Sequence, residues 1–287
     1  LPMIVNILAV GINICLNWIF IFGKLGAPAM GIRGAALATV IARIIECALL
    51  LIISFHPRSV LASKWKELLS MAFVGKVIRQ IIPVLLNEGC WALGSMLYVA
   101  AYGHINSYAS ASFQVYTTIQ NMFMAVCFGL ASAALVMTGN QLGAGRRDNA
   151  LTYSRRFTFW GLIIGILLGG VVILTAPQLL TFFNLSSQAV DTAIAMLRIF
   201  GLVAPIRVLN VVLIVGVFRG GGDAGFALAA EGFTMWCIGV PAAFLGAFVF
   251  HLTVEQVVLL VTLEEVAKCL FCIFRLRSNK WIHTITA

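Results

Sequence analysis

The chain has 287 residues, of which 61% are hydrophobic and only 10% are charged, and its formal net charge is +9. A soluble domain has about a quarter of its residues charged, so this composition excludes a soluble fold and predicts an integral membrane protein. The basic excess would suggest nucleic acid as the partner of a soluble protein. In a membrane protein, however, the positions of lysine and arginine first indicate which connections lie on the cytoplasmic side.

Eight apolar stretches are long enough to cross the bilayer as helices, since a transmembrane helix needs about 20 residues. The polar residues are too sparse for the short alternating strands of a membrane barrel, so the predicted fold class is all-α. Pro205 should bend the sixth span, because proline lacks an N–H and clashes with the preceding turn. The predicted spans are residues 3–23, 33–55, 81–102, 111–138, 155–176, 191–218, 227–250 and 254–274.

Lysine and arginine are concentrated in alternate connections between these spans. Most of them lie in residues 56–80, residues 139–156, the turn Arg219–Gly225 and the tail after Phe274. Passing from one of these segments to the next crosses two spans, so all four should lie on the same side. The positive-inside rule predicts that this side, and the C-terminus, is cytoplasmic, with anionic lipid as the partner of the charge. Apolar residues recur at helical spacing in residues 56–80, which predicts an amphipathic helix on the membrane surface.

Four stretches, taken in order, carry a family resemblance. They are NICLNWIFIFGKLGAPAMGIRGAALAT, MTGNQLGAGRRDNAL, FRGGGDAGFALAAEGFTMWCIGVP and LEEVAKCLFCIFRLRSNKWI. They resemble, respectively, helices five and six, the loop between helices eight and nine, the turn between helices ten and eleven, and the end of helix twelve of the multidrug and toxin extrusion (MATE) transporters. The resemblance implies a twelve-helix, two-lobe transporter, of which this chain carries helices five to twelve.

The same resemblance divides the chain into parts. Residues 1–55 would hold the last two helices of the first lobe, and residues 56–80 the cytoplasmic linker. Residues 81–275 would form the six-helix second lobe, and residues 276–287 a cytoplasmic tail.

The resemblance also implies a function, because this family exports amphipathic, often cationic organic compounds in exchange for Na⁺ or H⁺. We therefore expect an ion-coupled multidrug antiporter of the cell (inner) membrane and not an enzyme. The Gly-rich pieces GAGR and RGGGD lack the phosphate-loop pattern, so no ATPase subunit or cofactor is expected. All four histidines lie at span ends or in connections, so no metal site is expected either.

Some members of the family have a cation site in the first lobe, formed by Asn and Asp one turn apart on helix five and Thr on helix six. The matching positions here are Asn13, Asn17 and Thr39, so an asparagine replaces the aspartate. Other members use acids on helices seven and ten. Here helix seven offers Glu88, and helix ten offers no acid.

Glu88 lies in the apolar run RQIIPVLLNEGCW, beside Asn87. A charge near mid-bilayer costs about 2.5–3.5 kcal/mol on insertion scales, so the carboxylate should face a cavity or a partner. It is predicted to bind the coupling ion or a proton, to act as counter-charge to a cationic substrate, or to be a structural carboxylate held by an internal hydrogen bond or an arginine. Arg198 and Arg207, within the sixth span, are the candidate counter-ions.

Polar side chains at helical spacing mark one face of each of two neighbouring spans. They predict either a water-lined pathway for substrate or interhelical hydrogen bonds that pack the helices. The residues are Glu88, Trp91 and Ser95 on the third span, and Gln114, Thr117, Thr118 and Asn121 on the fourth. Trp91 would add cation–π attraction to a cationic substrate.

Charged residues near the C-terminus are given a structural interpretation. Glu264, Glu265 and Lys268 are predicted to neutralise one another within the last span. Glu231 is predicted to lie at the membrane interface.

Two further functions stay open. A lipid-linked oligosaccharide flippase of the related superfamily would use Arg198 and Arg207 to bind phosphate. A membrane-embedded enzyme would need a catalytic cluster near an interface, and the sequence offers no His-rich or Asp-rich set for one.

Overall fold

The computed structural model describes residues 2–54, 71–105, 107–183 and 185–283, and nearly all of them are helical. Within these ranges there is no strand, which confirms the all-α fold class. Six of the eight predicted spans coincide with one helical element each, and the sixth and seventh coincide with helices that continue beyond the first element. The elements are α1 (Pro2–Phe22), α2 (Ile32–Ser54), α3 (Met71–Ile105), α4 (Ser107–Gly143), α5 (Arg147–Leu180), α6 (Ser187–Val211), α7 (Ala224–Thr234) and α8 (Val254–Arg277).

Two of the helices continue through π-helical turns. Helix α6 runs on through Val212–Phe218, and α7 runs on through Met235–Gly239, Val240–Phe244 and Leu245–Val249. Such turns often occur at functional sites, because they displace side chains from the regular helical register.

Among the described residues, seven helices are apolar and long enough to cross a membrane. Helix α8 has 24 residues, which gives it a length of about 36 Å, also enough to cross. It differs from the others in holding Glu264, Glu265 and Lys268 near its middle. Charges at that depth need partners inside the protein.

The chain forms two compact units, Leu1–Lys76 and Val77–Ala287. In the first unit α1 packs against α2. Residues 55–70, which make up most of the predicted linker, lie outside the described residues, and residues 71–80 continue directly into the rest of α3.

Small residues let α5 and α6 approach backbone to backbone in the second unit. A Cβ added to Gly169 would lie 2.2 Å from the carbonyl oxygen of Gly201, and one added to Gly165 would lie 2.6 Å from the Cα of Pro205. No side chain fits at either contact, so glycine is required there. Close packing of this kind holds transmembrane helices together, because lipid offers no hydrophobic driving force between them.

Three of the four basic segments meet at one end of the second unit. Asp223, in the turn between α6 and α7, accepts a hydrogen bond from Arg275 Nε at 2.7 Å and lies 3.4 Å from His283 Nε2. The backbone N–H of His283 donates to the carbonyl of Gly221. A Cβ on Gly139, near the end of α4, would touch Gly220. The charge pattern therefore placed these three segments correctly on a common side.

Candidate functional site

The second unit contains a cavity of about 400 Å³, lined by side chains from α3, α4, α6, α7 and α8. Cavities of roughly 300–1,000 Å³ hold drug-sized ligands. One wall is a chain of aromatic rings whose successive centroids lie 4.4–6.4 Å apart. These rings belong to Tyr98, Tyr102, Phe113, Tyr116 and Phe200.

A buried ammonium group lies among three carboxylates in the wall of this cavity. Lys268 Nζ is 2.8 Å from Glu264 Oε1, 3.8 Å from Glu231 Oε1 and 3.9 Å from Glu265 Oε1. The side chains of Lys268 and Glu264 are only 6% and 5% exposed. Lys268 is therefore in hydrogen-bond contact with Glu264 alone, while the other two carboxylates attract it at longer range.

Each of these carboxylates also accepts a hydrogen bond through its second oxygen. The donors are the Tyr98 hydroxyl to Glu264 Oε2 at 2.5 Å, Asn87 Nδ2 to Glu231 Oε2 at 2.6 Å and Asn210 Nδ2 to Glu265 Oε2 at 2.8 Å. The donors come from α3 and α6, whereas the carboxylates are on α7 and α8. Buried charges are tolerated when they are both paired and hydrogen-bonded, which explains how α8 accommodates this cluster in an apolar setting.

Gly239 provides room for the contact between Tyr98 and Glu264. A Cβ at Gly239 would lie 2.0 Å from the Tyr98 hydroxyl and 2.4 Å from Glu264 Oε2. No other residue fits without displacing that hydrogen bond.

Arg207 is the second cation of the cavity. Its Nε lies 3.6 Å from Glu265 Oε1, and its guanidinium carbon lies 5.9 Å from the centroid of the Phe200 ring. The charged side chains that line the cavity are thus three carboxylates, one lysine and one arginine. With all of them ionised, carboxylates outnumber cations, so the lining favours a positively charged occupant.

Several of the polar residues predicted from helical spacing line this cavity. They are Trp91, Ser95, Gln114, Thr117 and Asn121. Asn87 is buried behind the cavity, where it binds Glu231. The Thr118 hydroxyl donates to the carbonyl of Gln114 instead.

Glu88 lies outside the cavity lining. Its side chain is 58% exposed, and Oε1 accepts a hydrogen bond from an Arg219 amino nitrogen at 2.7 Å. Arg219 directly follows the span Ser187–Phe218, so the pair lies level with the end of that span. The counter-ion prediction was therefore wrong in its choice of arginine. The partner comes from the turn, which the helical faces of the sixth span could not reveal.

Arg198 and Arg207 lie in different surroundings. Arg198 is exposed and forms no ion pair with any described residue, whereas Arg207 faces the cavity and Glu265. Glu231, which was predicted to lie at the membrane interface, is held in the cavity wall by Asn87 and Lys268. Sequence did identify Glu264, Glu265 and Lys268 as one cluster, but not its partners on three other helices.

Asn87 connects the cavity to the Glu88 pair. Its amide nitrogen donates to Glu231, and its amide oxygen accepts from Arg219 at 3.1 Å. A continuous polar chain thus runs from Lys268 through Glu231, Asn87 and Arg219 to Glu88.

The first unit brings its predicted polar residues together as well. Asn13 Nδ2 donates to the Thr39 hydroxyl at 3.4 Å, and Asn17 Nδ2 donates to Asn13 Oδ1 at 3.0 Å. A small cavity of about 60 Å³ adjoins Asn13 and Thr39 and is also lined by Arg43 and Glu46.

Glu46 is the acid of this small cavity. It accepts hydrogen bonds from Arg43 at 2.5 Å and from Asn6 at 3.0 Å. The sequence does not show that Glu46 lies beside Asn13, because their distance depends on how α1 and α2 pack. Among the described residues, no group of three or more His, Cys, Asp or Glu could hold a metal ion.

Comparison with known proteins identifies a family that this chain matches. The MatE family model matches residues 83–245. The chain is 24% identical over 260 residues to "Probable multidrug resistance protein NorM" of Thermotoga maritima, covering 88% of this chain and 54% of that protein. It is 26% identical over 275 residues to "Uncharacterized transporter YisQ" of Bacillus subtilis, covering 94% of this chain and 60% of that protein. The chain thus spans little more than half the length of these relatives.

Solved structures share the fold. A crystal structure of a MATE protein in complex with MaL6 superposes with a TM-score of 0.84 at 20% identity, over 97% of this chain and 63% of that one. A transporter of the MOP superfamily from Pyrococcus furiosus, described as having a binding pocket of reversed polarity, superposes with a TM-score of 0.82 at 18% identity, over 96% of this chain and 62% of that one.

Proposed function

Because the chain belongs to the MatE family of membrane transporters, we propose that it acts in a secondary active antiporter. The antiporter would export amphipathic or cationic organic compounds in exchange for Na⁺ or H⁺. Members of this family are transporters and not enzymes, and the relatives' names point to multidrug efflux.

The main support for this proposal is the chemistry of the 400 Å³ cavity. Its aromatic wall suits flat apolar groups, and the ring faces attract cations. Its excess of carboxylates over cations favours a positively charged substrate. An intramembrane ionisable residue is a functional candidate by default, and this cavity gathers five of them.

We place the ion-coupling carboxylates in the same cluster, at Glu231 and Glu265. Each can take up a proton or a sodium ion in exchange for an organic cation, since both residues line the cavity. Glu46, beside Asn13 and Thr39, is a second candidate coupling site in the first unit. For Glu88, the exposed pair with Arg219 supports a role in holding the turn Arg219–Gly225 against α3.

The proposed location is the cell (inner) membrane, with the C-terminus in the cytoplasm. Three basic segments at one end of the second unit support this orientation, because cytoplasmic segments are rich in lysine and arginine. Anionic lipid is the proposed partner of these segments, and neither nucleic acid nor an ATPase subunit is proposed.

The flippase alternative is less well supported. It needs arginines free to bind phosphate, but Arg198 lies outside the cavity and Arg207 faces Glu265.

Efflux from proteoliposomes tests the proposal. The protein is expressed from its complete open reading frame and reconstituted, and ethidium efflux is followed with a Na⁺ gradient and a pH gradient imposed separately. We expect one gradient to drive efflux and its collapse by an ionophore to stop it. Efflux that is unaffected by either gradient would reject the antiporter.

A further inference from the structure

Helix α3 contacts its neighbours in the second unit through side chains. A Cβ added to Gly94 would have side-chain atoms of Met235 as its nearest neighbours, and one added to Gly89 would meet nothing within 4 Å. Helices α5 and α6 instead touch backbone to backbone, at Gly169 and Gly201. Side chains change rotamer far faster than packed helices slide. Among these walls of the second unit, α3 can therefore move with the least rearrangement.

One cation joins α3 to the turn Arg219–Gly225, and this boundary is called the seam below. Arg219 donates to Glu88 Oε1 at 2.7 Å and to Asn87 Oδ1 at 3.1 Å. Glu88 is 58% exposed, and an ion pair with an exposed partner contributes little to stability. The buried Nε of Arg219 has no hydrogen-bond partner among the described residues. The seam is thus held by a few weak contacts.

The other side of the same turn is held more firmly, by α8 and the segment that follows it. Asp223 is 6% exposed and accepts a hydrogen bond from Arg275 Nε at 2.7 Å. Trp281 is fully buried, and a Cβ on Gly221 would lie 2.4 Å from its indole ring. The backbone N–H of His283 donates to the Gly221 carbonyl at 2.9 Å. The turn is therefore attached to α8 more firmly than to α3.

Asn87 links the seam to the cavity, and its amide has one orientation that suits both neighbours. Its nitrogen donates to Glu231 Oε2 at 2.6 Å, while its oxygen accepts from Arg219. An ionised carboxylate only accepts hydrogen bonds, and a guanidinium only donates them. Rotation of the amide by half a turn would place oxygen against oxygen and N–H against N–H. The charge of Glu231 therefore fixes the contact between Asn87 and Arg219.

Protonation of Glu231 removes this constraint. A protonated carboxyl has an O–H, so it can donate to the amide oxygen of Asn87. The amide is then free to rotate, and rotation turns its NH₂ group towards Arg219 and breaks one of the bonds that close the seam. The charge-assisted hydrogen bond from Asn87 is lost in either orientation.

The other titratable groups that face Glu231 come from α8. They are the ammonium of Lys268, at 3.8 Å, and the thiol of Cys272. Lys268 makes its hydrogen bond to Glu264, at 2.8 Å, and Glu265 has Arg207 as a second cation. Of the three carboxylates in the cavity wall, Glu231 thus has its charge least compensated by cations.

We propose that Asn87 couples the protonation of Glu231 to opening of the seam, and that it acts as a positioning residue rather than as a ligand of the transported cation. In the proposed topology the seam lies on the cytoplasmic side. A proton taken up at Glu231 would therefore open the cavity towards the cytoplasm, where an organic cation enters and the proton leaves. This proposal rests on the proposed function, because it assigns a conformational step to the proton that the antiporter exchanges.

Distances between nitroxide labels test the opening, in purified protein expressed from its complete open reading frame. One pair of labels, at Leu85→Cys and Gly225→Cys, spans the seam. A second pair, at Gly225→Cys and Lys280→Cys, spans the contact between the turn and the C-terminal segment. All three positions are exposed, and a Cβ at Gly225 meets nothing within 4 Å. The accessible native cysteines are first replaced by alanine, namely Cys15, Cys47, Cys90 and Cys237.

Glu231→Gln imitates the protonated acid, because its neutral amide can both accept and donate. At about pH 8, where exposed carboxylates such as Glu88 stay ionised, it should raise the ratio of open to closed seam about fivefold. The distance between the labels at Gly225 and Lys280 should stay unchanged. An unchanged seam, or a lengthening of both distances, would overturn the proposal.

The matched control is Glu255→Gln. Glu255 lies in the first turn of α8 and outside the cavity lining, so its neutralisation should leave both distances unchanged. Opening of the seam in this variant as well would mean that net charge, and not the bond to Asn87, sets the seam, which would also overturn the proposal.

Asn87→Leu separates coupling from a merely structural role. It removes the link to Glu231 but keeps the ion pair between Arg219 and Glu88. In this background, Glu231→Gln should change the ratio of open to closed seam by less than about twofold, because the two residues act through one contact. A full response to Glu231→Gln without Asn87 would contradict the proposal.

The two proposals fail in different ways. A seam that responds to Glu231 through Asn87, without gradient-driven efflux, would reject the antiporter and keep the coupling. Gradient-driven efflux with a seam that does not respond would reject the coupling and keep the antiporter.

Discussion

Glu88 and Glu265 are both carboxylates within long, mostly apolar helices, yet their surroundings differ. Glu88 is 58% exposed and pairs with Arg219, which comes from a turn. Glu265 is 15% exposed and lies between Lys268, Arg207 and Asn210 in the wall of a cavity. The apolar neighbours of Glu88 in the sequence suggested the deeper position, and the fold gives that position to Glu265.

The difference teaches that local hydropathy does not measure the depth of a charge. Glu88 lies level with the end of a neighbouring span, where a turn supplies an arginine. The pair joins a 58% exposed Glu88 to an arginine that is only 14% exposed, and an ion pair with an exposed partner contributes about 0–1 kcal/mol. A buried pair contributes differently, because the loss of one partner leaves the other as an uncompensated charge away from solvent, which destabilises the protein.

The largest expected effect is on the free energy of unfolding, and it compares the cluster around Lys268 with the Glu88–Arg219 pair. Lys268→Met removes a buried cation that lies within 4 Å of three carboxylates and should cost about 3–5 kcal/mol. Arg219→Met removes the partner of an exposed glutamate and a hydrogen bond to Asn87, and should cost about 1–2 kcal/mol. Reversible unfolding in detergent micelles measures both. Equal losses would mean that the two regions do not differ in energy as their burial indicates.

The next effect concerns the fit between Tyr98 and Glu264. Gly239→Ala places a Cβ against both groups and should destabilise the protein by about 1–3 kcal/mol. Gly232→Ala, in α7, meets nothing within 4 Å and is the matched control. Because alanine favours a helix, the control should be neutral or slightly stabilising. The same unfolding assay compares the two variants. If Gly239→Ala left the stability unchanged, Tyr98 and Glu264 would be able to move apart to accommodate the added Cβ.

Transport should respond to the buried carboxylate more than to the exposed one. Glu265→Gln should reduce gradient-driven ethidium efflux by about tenfold, because about 1.4 kcal/mol of cation binding is lost. Glu88→Gln should reduce it by less than about twofold, since the residue does not line the cavity. Initial rates are compared at matched protein content. An equally large loss with Glu88→Gln would restore Glu88 as the coupling residue expected from sequence.

The smallest effect is the salt dependence of the Glu88 pair. Glu88→Gln should cost at most about 1 kcal/mol of stability at low salt. At 1 M salt the screening length falls to about 3 Å, so the difference from the parent should nearly vanish. A difference that persists at high salt would place the Glu88 carboxylate in a drier setting than its exposure indicates.

Much of the fold was predictable because the bilayer imposes it. Eight runs of about 20 apolar residues predicted eight helices, and the alternation of basic connections correctly grouped three segments at one end. The period of 3.6 residues also placed Trp91, Ser95, Gln114, Thr117 and Asn121 on helix faces that do line the cavity. The lengths and faces of the helices need only information local to one helix, and the grouping of the basic segments needs only the number of spans between them.

The candidate site was predictable only in part, because its partners come from distant parts of the chain. The charges of α8 were visible as a cluster, but Asn210 and Tyr98 bind them from α6 and α3. Nothing within a single helix shows that Glu231 faces Asn87, 144 positions away in the sequence. The assignment of Glu88 to Arg198 or Arg207 failed for the same reason.

The sequence by itself determined that this protein lies in a membrane, that it is helical and which segments share a side. Hydrophobic length and charge asymmetry are properties of single segments, and the bilayer acts on them one segment at a time. Tertiary structure alone decided which charges are buried together and which stay exposed on the protein surface. That choice depends on the packing of five helices around one cavity, where each of the three carboxylates accepts a hydrogen bond from a donor on another helix.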